Sequence, residues 1–309
     1  MKKKKIKDTG VEVTELSFGT SSLGSMPDTY GYEVPQQRAQ EVLKRFFQGP
    51  VNMLDTSRNY AMGESERRIG IAIKENGGWP EKFVLSTKID RNMDTLVLDK
   101  KRTRESVEES LKTLNVDSVD VLFLHDPEYV KDINDVTKKD GALDELFKIK
   151  EEGLAKAVGL AMGRIDIMFP ILRNWDFDVI INHNRYTLLN READEMYSDA
   201  YNKNTSIFNA APYAGGVLAK GPSNFKKITY QNVSEEKLAP AREIERVCKK
   251  YNVEMGAAAL QFSMKDKRIT STICGVTSVQ SIEKNLAWAK IDIPEEFWNE
   301  VLELPFSTK

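Results

Sequence analysis

The chain has 309 residues and a formal net charge of -2 at pH 7, and 40% of its residues are hydrophobic against 30% charged. This is the balance of a globular protein, and so small a charge excludes general attraction to nucleic acid or to an anionic membrane. Cys248 and Cys274 are too few for a disulfide framework, and no apolar run reaches the roughly 18 residues of a transmembrane helix.

The N-terminal segment begins with Met1 and four lysines, which resemble the charged start of a signal peptide. No apolar stretch follows them, so we interpret residues 1–5 as a solvated tail. Together with the small number of cysteines, which indicates a reducing compartment, this favours the cytoplasm. Residues 5–13 alternate polar and apolar side chains around Asp8-Thr9-Gly10, which predicts a β-hairpin.

Short apolar runs then alternate with stretches of helical periodicity. Strands are predicted at residues 16–20, 51–55, 83–88, 119–124, 157–160, 179–182, 206–209 and 269–274. Helices are predicted at residues 37–48, 65–75, 103–114 (capped by Thr103), 142–152, 164–174 (broken near Pro170), 191–203, 240–251, 255–265, 278–289 and 294–304.

This alternation predicts a closed (β/α)8 barrel, an α/β fold, with the N-terminal β-hairpin and a C-terminal extra helix. Because no linker or low-complexity segment divides the chain, we expect residues 1–309 to form a single domain. A doubly wound open sheet is the alternative. It would need a glycine-rich nucleotide-binding turn after an early strand, and neither G-x-G-x-x-G nor a P-loop occurs.

Polar side chains stand at the ends of three consecutive predicted strands. Asp55 ends the second strand, Lys88 the third and His125 follows the fourth, while Tyr60 lies in the loop after Asp55. Neighbouring strands lie about 4.8 Å apart, and in a parallel barrel this edge carries the active site, so the four side chains are expected to converge.

Their chemistry suits proton transfer at a carbonyl group. A lysine beside a phenol favours the phenolate and lowers its pKa, and a carboxylate holds the lysine charged. A histidine donates a hydrogen bond to the carbonyl oxygen. No nucleophile with an adjacent base occurs, which argues against acyl transfer.

Taken singly, each of these residues has a structural interpretation: a turn or cap aspartate, a surface tyrosine, a solvated lysine, a structural histidine. A metal site is not predicted, since His125 and His183 lie on different strands without ligand spacing around either. Two other functions remain open at this point. One is a Schiff-base lyase that uses Lys88, and the other is a non-catalytic, cofactor-binding regulatory subunit.

Six segments resemble a known family: LDTSRNYAMGESERRIG, LSTK, SVEESLKTLNVDSVDVLFLHDPE, KAVGLAMG, NRYTLLNREAD and ICGVTSVQSIEKNL. The chain resembles the aldo-keto reductases over nearly its whole length, and their proton-transfer tetrad falls on Asp55, Tyr60, Lys88 and His125. The resemblance implies a barrel with NAD or NADP across its C-terminal mouth and hydride transfer at a carbonyl. RYTLLNREADEM and APYAGGVLA are most similar to the sugar C1 dehydrogenases (D-threo-aldose, L-fucose and L-galactose dehydrogenases), which oxidise an aldose to a lactone.

The resemblance also implies a set of cofactor contacts. The predicted cofactor-binding residues are His183, Pro212, Tyr213, Gly215, Gly216, Leu218, Gly275, Thr277, Ser278, Ser281, Lys284 and Asn285. The loop from Pro212 to Leu218 is expected to offer backbone N–H groups to the pyrophosphate, and Asn285 falls on the family's adenine-binding residue. The sequence departs from the family at Ala161-Met162, often Ser-Asn, at His183, often Gln, and at Ala210, often an aromatic residue.

The cofactor and substrate preferences are predicted less directly. Gly275 and Ser281 stand where many members carry basic residues for the 2′-phosphate, so NAD is expected to be accepted at least as well as NADP. Thr277 and Ser278 are candidate ribose ligands, and Lys284 is the alternative phosphate ligand. The expected partner is a small sugar or aldehyde, with candidate hydroxyl ligands Asp28, Tyr30, Tyr32 and Tyr213.

Overall fold

The structure is a computed structural model and describes residues 1–305. Positions 306–309 of the predicted single domain lie outside the described residues. Within residues 1–305 the strands are β1 (Lys3–Lys5), β2 (Glu12–Thr14), β3 (Leu16–Gly19), β4 (Met53–Asp55), β5 (Val84–Ile89), β6 (Val119–His125), β7 (Ala155–Met162), β8 (Val179–His183), β9 (Ser206–Ala210), β10 (Lys227–Ile228), β11 (Gln231–Asn232) and β12 (Ile269–Gly275).

Helices surround these strands. In the same part of the chain the α-helices are α1 (Pro27–Tyr30), α2 (Gln36–Phe47), α3 (Glu64–Glu75), α4 (Lys100–Leu114), α5 (Asn134–Thr137), α6 (Ala142–Glu151), α7 (Ile165–Asn174), α8 (Asp194–Asn202), α9 (Val217–Lys220), α10 (Glu235–Lys250), α11 (Met255–Met264), α12 (Val279–Trp288) and α13 (Glu295–Leu302). No helix among the described residues is long and apolar enough to cross a membrane.

Eight parallel strands close into a barrel in the order β12-β3-β4-β5-β6-β7-β8-β9. The first and last barrel strands join through the pairing of Gly19 with Gly275, and β12 also pairs with β9. The helices between strands cover the outside, and α13 follows the last β/α unit. The predicted (β/α)8 barrel with an extra C-terminal helix is therefore confirmed.

The N-terminal hairpin seals one end of the barrel. Its apolar residues Ile6, Val11 and Val13 pack in one cluster with inward-facing strand residues such as Val121 and Phe208. Burial of these side chains holds β1 and β2 over the strand N-termini, since hydrophobic area removed from water stabilises the contact. The opposite end, where the strands reach their C-termini, remains open.

The interpretation of residues 1–5 as a solvated tail was wrong. Lys3–Lys5 forms β1 and pairs antiparallel with Glu12–Thr14. The ammonium of Lys4 donates to the carbonyl oxygen of Ile269 at 2.5 Å. The lysine run belongs to the hairpin because its backbone pairs with β2, whose last two side chains are buried.

Three helix predictions also differ from the structure. Helix α4 begins before Thr103, and its cap is Asp99, whose carboxylate accepts the Arg102 N–H at 2.8 Å. Helix α7 continues through Pro170 without a break. Helix α10 begins at Glu235, with Ser234 as its cap. Tertiary packing of the buried faces of α7 and α10 offsets the hydrogen bond that each internal proline removes.

Candidate active site

A cavity of about 390 Å³ opens at the C-terminal end of the barrel. Every barrel strand contributes to its lining near its last residues, and the loops after β3, β4 and β9 form the rim. The four predicted catalytic residues, Asp55, Tyr60, Lys88 and His125, all line this cavity. The structure therefore brings together the residues that strand spacing could only place at one edge.

Lys88 is the centre of the buried polar network. Its side chain is 2% exposed, and its ammonium donates to Asp55 Oδ2 at 2.7 Å, to the Thr56 carbonyl at 2.6 Å and to the Tyr60 hydroxyl at 3.1 Å. The register explains the first contact. Asp55 pairs with Ser86, and Lys88 is two residues further along β5 and so faces the same side of the sheet. All three ammonium protons therefore have acceptors.

Tyr60 reaches the cavity through a strained turn. Ala61 and Met62 adopt left-handed conformations, with φ of 52° and 54°, and Gly63 follows with φ of 91°. A left-handed non-glycine residue costs on the order of 1–2 kcal/mol. Such strain is concentrated at functional sites. Here the reversal leads from the loop into α3 and leaves the phenol ring facing His125, with ring centroids 5.9 Å apart.

His125 is oriented by a residue that the sequence did not single out. Asp90 Oδ1 lies 2.6 Å from His125 Nδ1, while Asp90 Oδ2 accepts from Ser57 Oγ at 2.5 Å and from the Asn59 N–H at 2.8 Å. An ionised carboxylate only accepts, so Nδ1 carries the proton donated to Asp90, and Nε2 is the nitrogen left for a ligand. The available signal was an aspartate directly after the third barrel strand, two residues beyond Lys88.

The electrostatics correct one expectation. Burial of the phenol, and then the negative charges of Asp55, Asp126 and Asp90, raise the pKa of Tyr60 well above its ordinary value. The predicted net lowering of this pKa was wrong for this structure, because burial of the phenol and the nearby carboxylates outweigh the Lys88 ammonium, which Asp55 partly neutralises at 2.7 Å. The phenol is thus held protonated, in the form that donates a proton.

His125 shifts in the direction that favours its cation. Burial opposes the charge, but the carboxylates of Asp126 and Asp90 outweigh burial and raise the pKa of His125. Asp126 follows His125 in the chain, lines the cavity and was not predicted as a site residue. The protonated ring has a hydrogen-bond donor on each nitrogen.

The predicted cofactor residues divide into two groups. Six line the cavity: His183, Tyr213, Gly215, Gly216, Gly275 and Thr277. The other six do not line it: Pro212, Leu218, Ser278, Ser281, Lys284 and Asn285. The N–H groups of Gly216 and Leu218 both donate to the Tyr213 carbonyl, at 2.8 and 3.2 Å, so the loop uses these predicted anion donors internally.

Three of these six residues, Ser278, Ser281 and Asn285, form hydrogen bonds at the start of α12. Ser278 caps the helix in a reciprocal arrangement with Ser281. The Asn285 amide accepts from the Tyr213 hydroxyl and donates to the Ser281 carbonyl at 2.6 Å. Lys284 places its ammonium 4.6 Å from the ring centroid of Trp288, one turn towards the helix C-terminus and away from Gly275.

The departures from the family pattern also face the cavity. Ala161, His183 and Ala210 all line it. His183 packs so close to Gly163 that a Cβ at that glycine would lie 2.8 Å from the imidazole Cε1. A small residue after β7 is therefore what lets the histidine ring lie there.

A covering segment after β9, residues 217–232, was missed because it has no helical or strand periodicity. It contains α9, β10 and β11, and it contributes Lys220, Phe225, Lys227 and Tyr230 to the cavity. Tyr230 meets Tyr30 from the β3 loop edge-on, with ring centroids 5.6 Å apart. Of the predicted hydroxyl ligands, Tyr30, Tyr32 and Tyr213 line the cavity and Asp28 does not.

The residues of this rim fit a dinucleotide cofactor. In this segment Lys226 pairs with Glu235, whereas neither Lys220 nor Lys227 has a carboxylate within salt-bridge distance among residues 1–305. Burial, and then the charge of Lys227, lower the pKa of Lys220. Beside them Gly215 packs so tightly that a Cβ would lie 2.7 Å from the Tyr230 nitrogen. The covering segment therefore packs directly on the glycine loop, and its two ammonium groups without carboxylate partners form a suitable donor set for a diphosphate.

Comparison with known proteins agrees with this geometry. The sequence profile of the Aldo/keto reductase family matches residues 15–304. The chain is 27% identical to a D-threo-aldose 1-dehydrogenase of Pseudomonas sp, over 95% of this chain and 94% of that one. It is 28% identical to an L-galactose dehydrogenase of Arabidopsis thaliana, over 91% and 85%. A solved aldo-keto reductase of Bacillus halodurans, in its holo form, has the same fold, with a TM-score of 0.82 at 20% identity, covering 100% of this chain and 98% of that one.

Proposed function

The chain belongs to the aldo/keto reductase family and is an NAD(P)-dependent oxidoreductase, and we propose that it transfers a hydride between the nicotinamide and C1 of an aldose or a small aldehyde. The observation that supports this most directly is the Lys88 ammonium, which bonds Asp55 and the Tyr60 phenol at once in the cavity. The names of the two similar dehydrogenases support a sugar substrate.

Tyr60 is the proposed proton donor in reduction and proton acceptor in oxidation. In reduction its phenol gives a proton to the carbonyl oxygen, and the Lys88 ammonium 3.1 Å away stabilises the phenolate that remains. Asp55 and the Thr56 carbonyl fix that ammonium. His125 Nε2 donates to the same substrate oxygen. The bound cofactor supplies the hydride in reduction and accepts it in oxidation.

The proposed cofactor contacts follow the lining of the cavity. Lys220 and Lys227 would bind the diphosphate, with Gly215 and Gly216 lining the cavity beside them. Thr277 and Gly275 would contact the ribose, and His183 and Tyr213 line the remaining wall. Pro212, Leu218, Ser278, Ser281 and Asn285 do not line the cavity and are proposed to support this wall, and NAD is expected to be accepted at least as well as NADP.

Two further statements are proposals. We propose that residues 1–309 form one domain, since a single sequence of β/α units closes the barrel. We propose the cytoplasm as the location, because Cys248 and Cys274 are buried and unpaired, as expected in a reducing compartment.

A Schiff-base lyase is the competing chemistry at the same lysine. It requires an amine lone pair that is free to attack, whereas the Lys88 nitrogen already donates three hydrogen bonds, to Asp55, the Thr56 carbonyl and Tyr60. Borohydride treatment with an aldose present should therefore leave Lys88 unmodified. A reduced adduct on Lys88 would contradict the oxidoreductase proposal for this residue.

A panel of aldoses and small aldehydes, assayed in both directions with NAD(H) and NADP(H), tests the proposed reaction. We expect cofactor-dependent turnover of at least one aldose or aldehyde, and its loss in Tyr60→Phe. Binding of either cofactor without turnover of any substrate would contradict the proposal and favour a cofactor-binding regulatory subunit. Oxidation of an aldose to a lactone would identify C1 as the reacting carbon.

A further inference from the structure

Asp126 is a carboxylate at the cavity that the tetrad chemistry does not use. It follows His125 at the end of β6 with φ of 45°, a left-handed conformation, and its N–H donates to the Ala161 carbonyl at 2.8 Å. Aspartate and asparagine tolerate this conformation better than most residues, but it still carries a cost. The backbone is therefore held in an unusual state that leaves the carboxylate at the cavity wall.

The carboxylate has an unused acceptor. Among the described residues, Asp126 Oδ1 is buried and has no hydrogen-bond partner. The other oxygen, Oδ2, lies 3.6 Å from His125 Nε2, and Oδ1 lies 3.9 Å from His183 Nε2. An acceptor without a donor is costly in a buried site, and a ligand hydroxyl that donates to the more exposed oxygen, Oδ2, would give the carboxylate the donor it lacks.

The charge state suits an acceptor. Burial acts to raise the pKa of Asp126, but His125, His183 and Arg91 outweigh it and lower the pKa to about 2. The group is therefore ionised throughout the neutral range. A hydroxyl that donates to it forms a charge-assisted hydrogen bond.

The distance to His125 determines which hydroxyl can reach it. Nε2 of His125 is the atom that we propose binds the reacting oxygen. Oxygens on adjacent carbons of a sugar lie about one hydrogen-bond length apart. When the reacting oxygen is on Nε2, the hydroxyl of the next carbon lies within reach of the Asp126 carboxylate, 3.6 Å from the same nitrogen.

We propose that Asp126 determines specificity by accepting a hydrogen bond from the hydroxyl on the carbon next to the reacting carbon. The substrate class is thus 2-hydroxyaldehydes, aldoses among them. This inference rests on the proposed function, since it takes His125 as the ligand of the reacting oxygen.

The experiment compares reduction of glycolaldehyde and acetaldehyde, which differ only by this hydroxyl. We expect wild-type kcat/KM to favour glycolaldehyde by about 10- to 100-fold. In Asp126→Asn, which keeps the left-handed backbone accessible, the loss on glycolaldehyde should exceed the loss on acetaldehyde by at least about tenfold. Fluorescence titration with NADH shows independently whether the variant is folded and binds cofactor.

Glu128→Gln is the matched control. Glu128 lies close to Asp126, but it is outside the cavity lining and accepts the Gly163 N–H at 3.0 Å. This variant should keep the wild-type preference. Loss of the preference in Glu128→Gln, or on adding EDTA, would mean that a cation held by Asp126, Glu128 and His183 is the true ligand, and would overturn the inference.

The remaining outcomes separate the two proposals. If wild type reduces both aldehydes equally well, the role of Asp126 fails while the proposed function stands. An equal loss of activity on both aldehydes in Asp126→Asn, with a shifted pH profile, would show that Asp126 acts through His125. That outcome would also overturn the proposed role of Asp126. If wild type turns over neither these aldehydes nor any aldose, the proposed function itself fails.

Discussion

Asp90 Oδ1 lies 2.6 Å from His125 Nδ1, and this contact determines which ring nitrogen faces the cavity. Asp90 is 2% exposed and is itself held by Ser57 Oγ and the Asn59 N–H. Since both donors come from the loop between Asp55 and Tyr60, the same aspartate also positions the segment that carries the phenol. Asp90 is therefore a positioning residue for two members of the tetrad.

Asp90→Asn should lower kcat by roughly tenfold or more and shift the basic limb of the pH profile for reduction downward. The variant removes one of the charges that raise the pKa of His125, so the ring loses its proton at a lower pH. Profiles of kcat against pH for wild type, Asp90→Asn and the exposed control Asp94→Asn test this. A reduced kcat with an unmoved profile would mean that Asp90 only stabilises the loop.

Tyr60→Phe should reduce turnover by roughly 10²- to 10⁴-fold while cofactor binding survives, because only the transferable proton is lost. Single-turnover rates and a cofactor titration measure the two effects separately. Tyr129→Phe is the control, since Tyr129 is 56% exposed and does not line the cavity. A Tyr60→Phe variant that retains more than about a tenth of wild-type turnover would reject the assignment.

Lys88→Met should shift the pH profile for sugar oxidation upward, because the phenolate loses its adjacent cation. It should also destabilise the fold by about 3–5 kcal/mol, since Asp55 is left buried without its partner. The double variant Asp55→Asn/Lys88→Met should recover much of the stability but not the activity. Recovery of both would show that the pair is structural and does not tune Tyr60.

Wild type should use NAD at least as well as NADP, since no cation stands at Gly275 and Lys284 lies over Trp288. Gly275 has no left-handed φ, and a Cβ there would have no atom within 4 Å, so Gly275→Lys can be accommodated. The new ammonium should improve the specificity constant for NADP over NAD by roughly 10- to 100-fold. A wild-type preference for NADP above about tenfold would contradict the expectation. Loss of that preference in Lys284→Ala would then identify Lys284 as the ligand of the 2′-phosphate.

The buried carboxyl of Glu66 should make the free energy of unfolding decrease as pH rises. Its carboxyl is 0% exposed, and burial raises its pKa from 4.5 to about 7. Between these values the folded protein binds more protons than the unfolded chain, so the unfolding free energy decreases with rising pH. Glu66→Gln should therefore be more stable than wild type at pH 8, on the order of 1–3 kcal/mol, with the gain vanishing near pH 5. Urea unfolding at both pH values tests this, and exposed Glu236→Gln should show no such pH dependence.

The local sequence pattern predicted most of the architecture. Each barrel strand is an apolar run buried on both faces, and each helix between them carries an apolar stripe, so a parallel barrel could be predicted without long-range information. The same pattern placed Asp55, Lys88 and His125 at strand ends. The predicted starts of α4 and α10 and the predicted break in α7 were wrong, because capping and packing override the preference of single residues such as Thr103 and Pro170.

Only the tertiary structure decided what each polar residue contacts and which charges it experiences. The pKa of Tyr60 depends on burial and on carboxylates from three different chain segments, so its direction could not follow from a neighbouring lysine alone. The roles of Asp90 and Asp126 depend on distances to His125 that arise when the barrel closes. Periodicity is a property of adjacent residues, whereas electrostatic and hydrogen-bond energies depend on separations of a few ångströms between segments far apart in the chain.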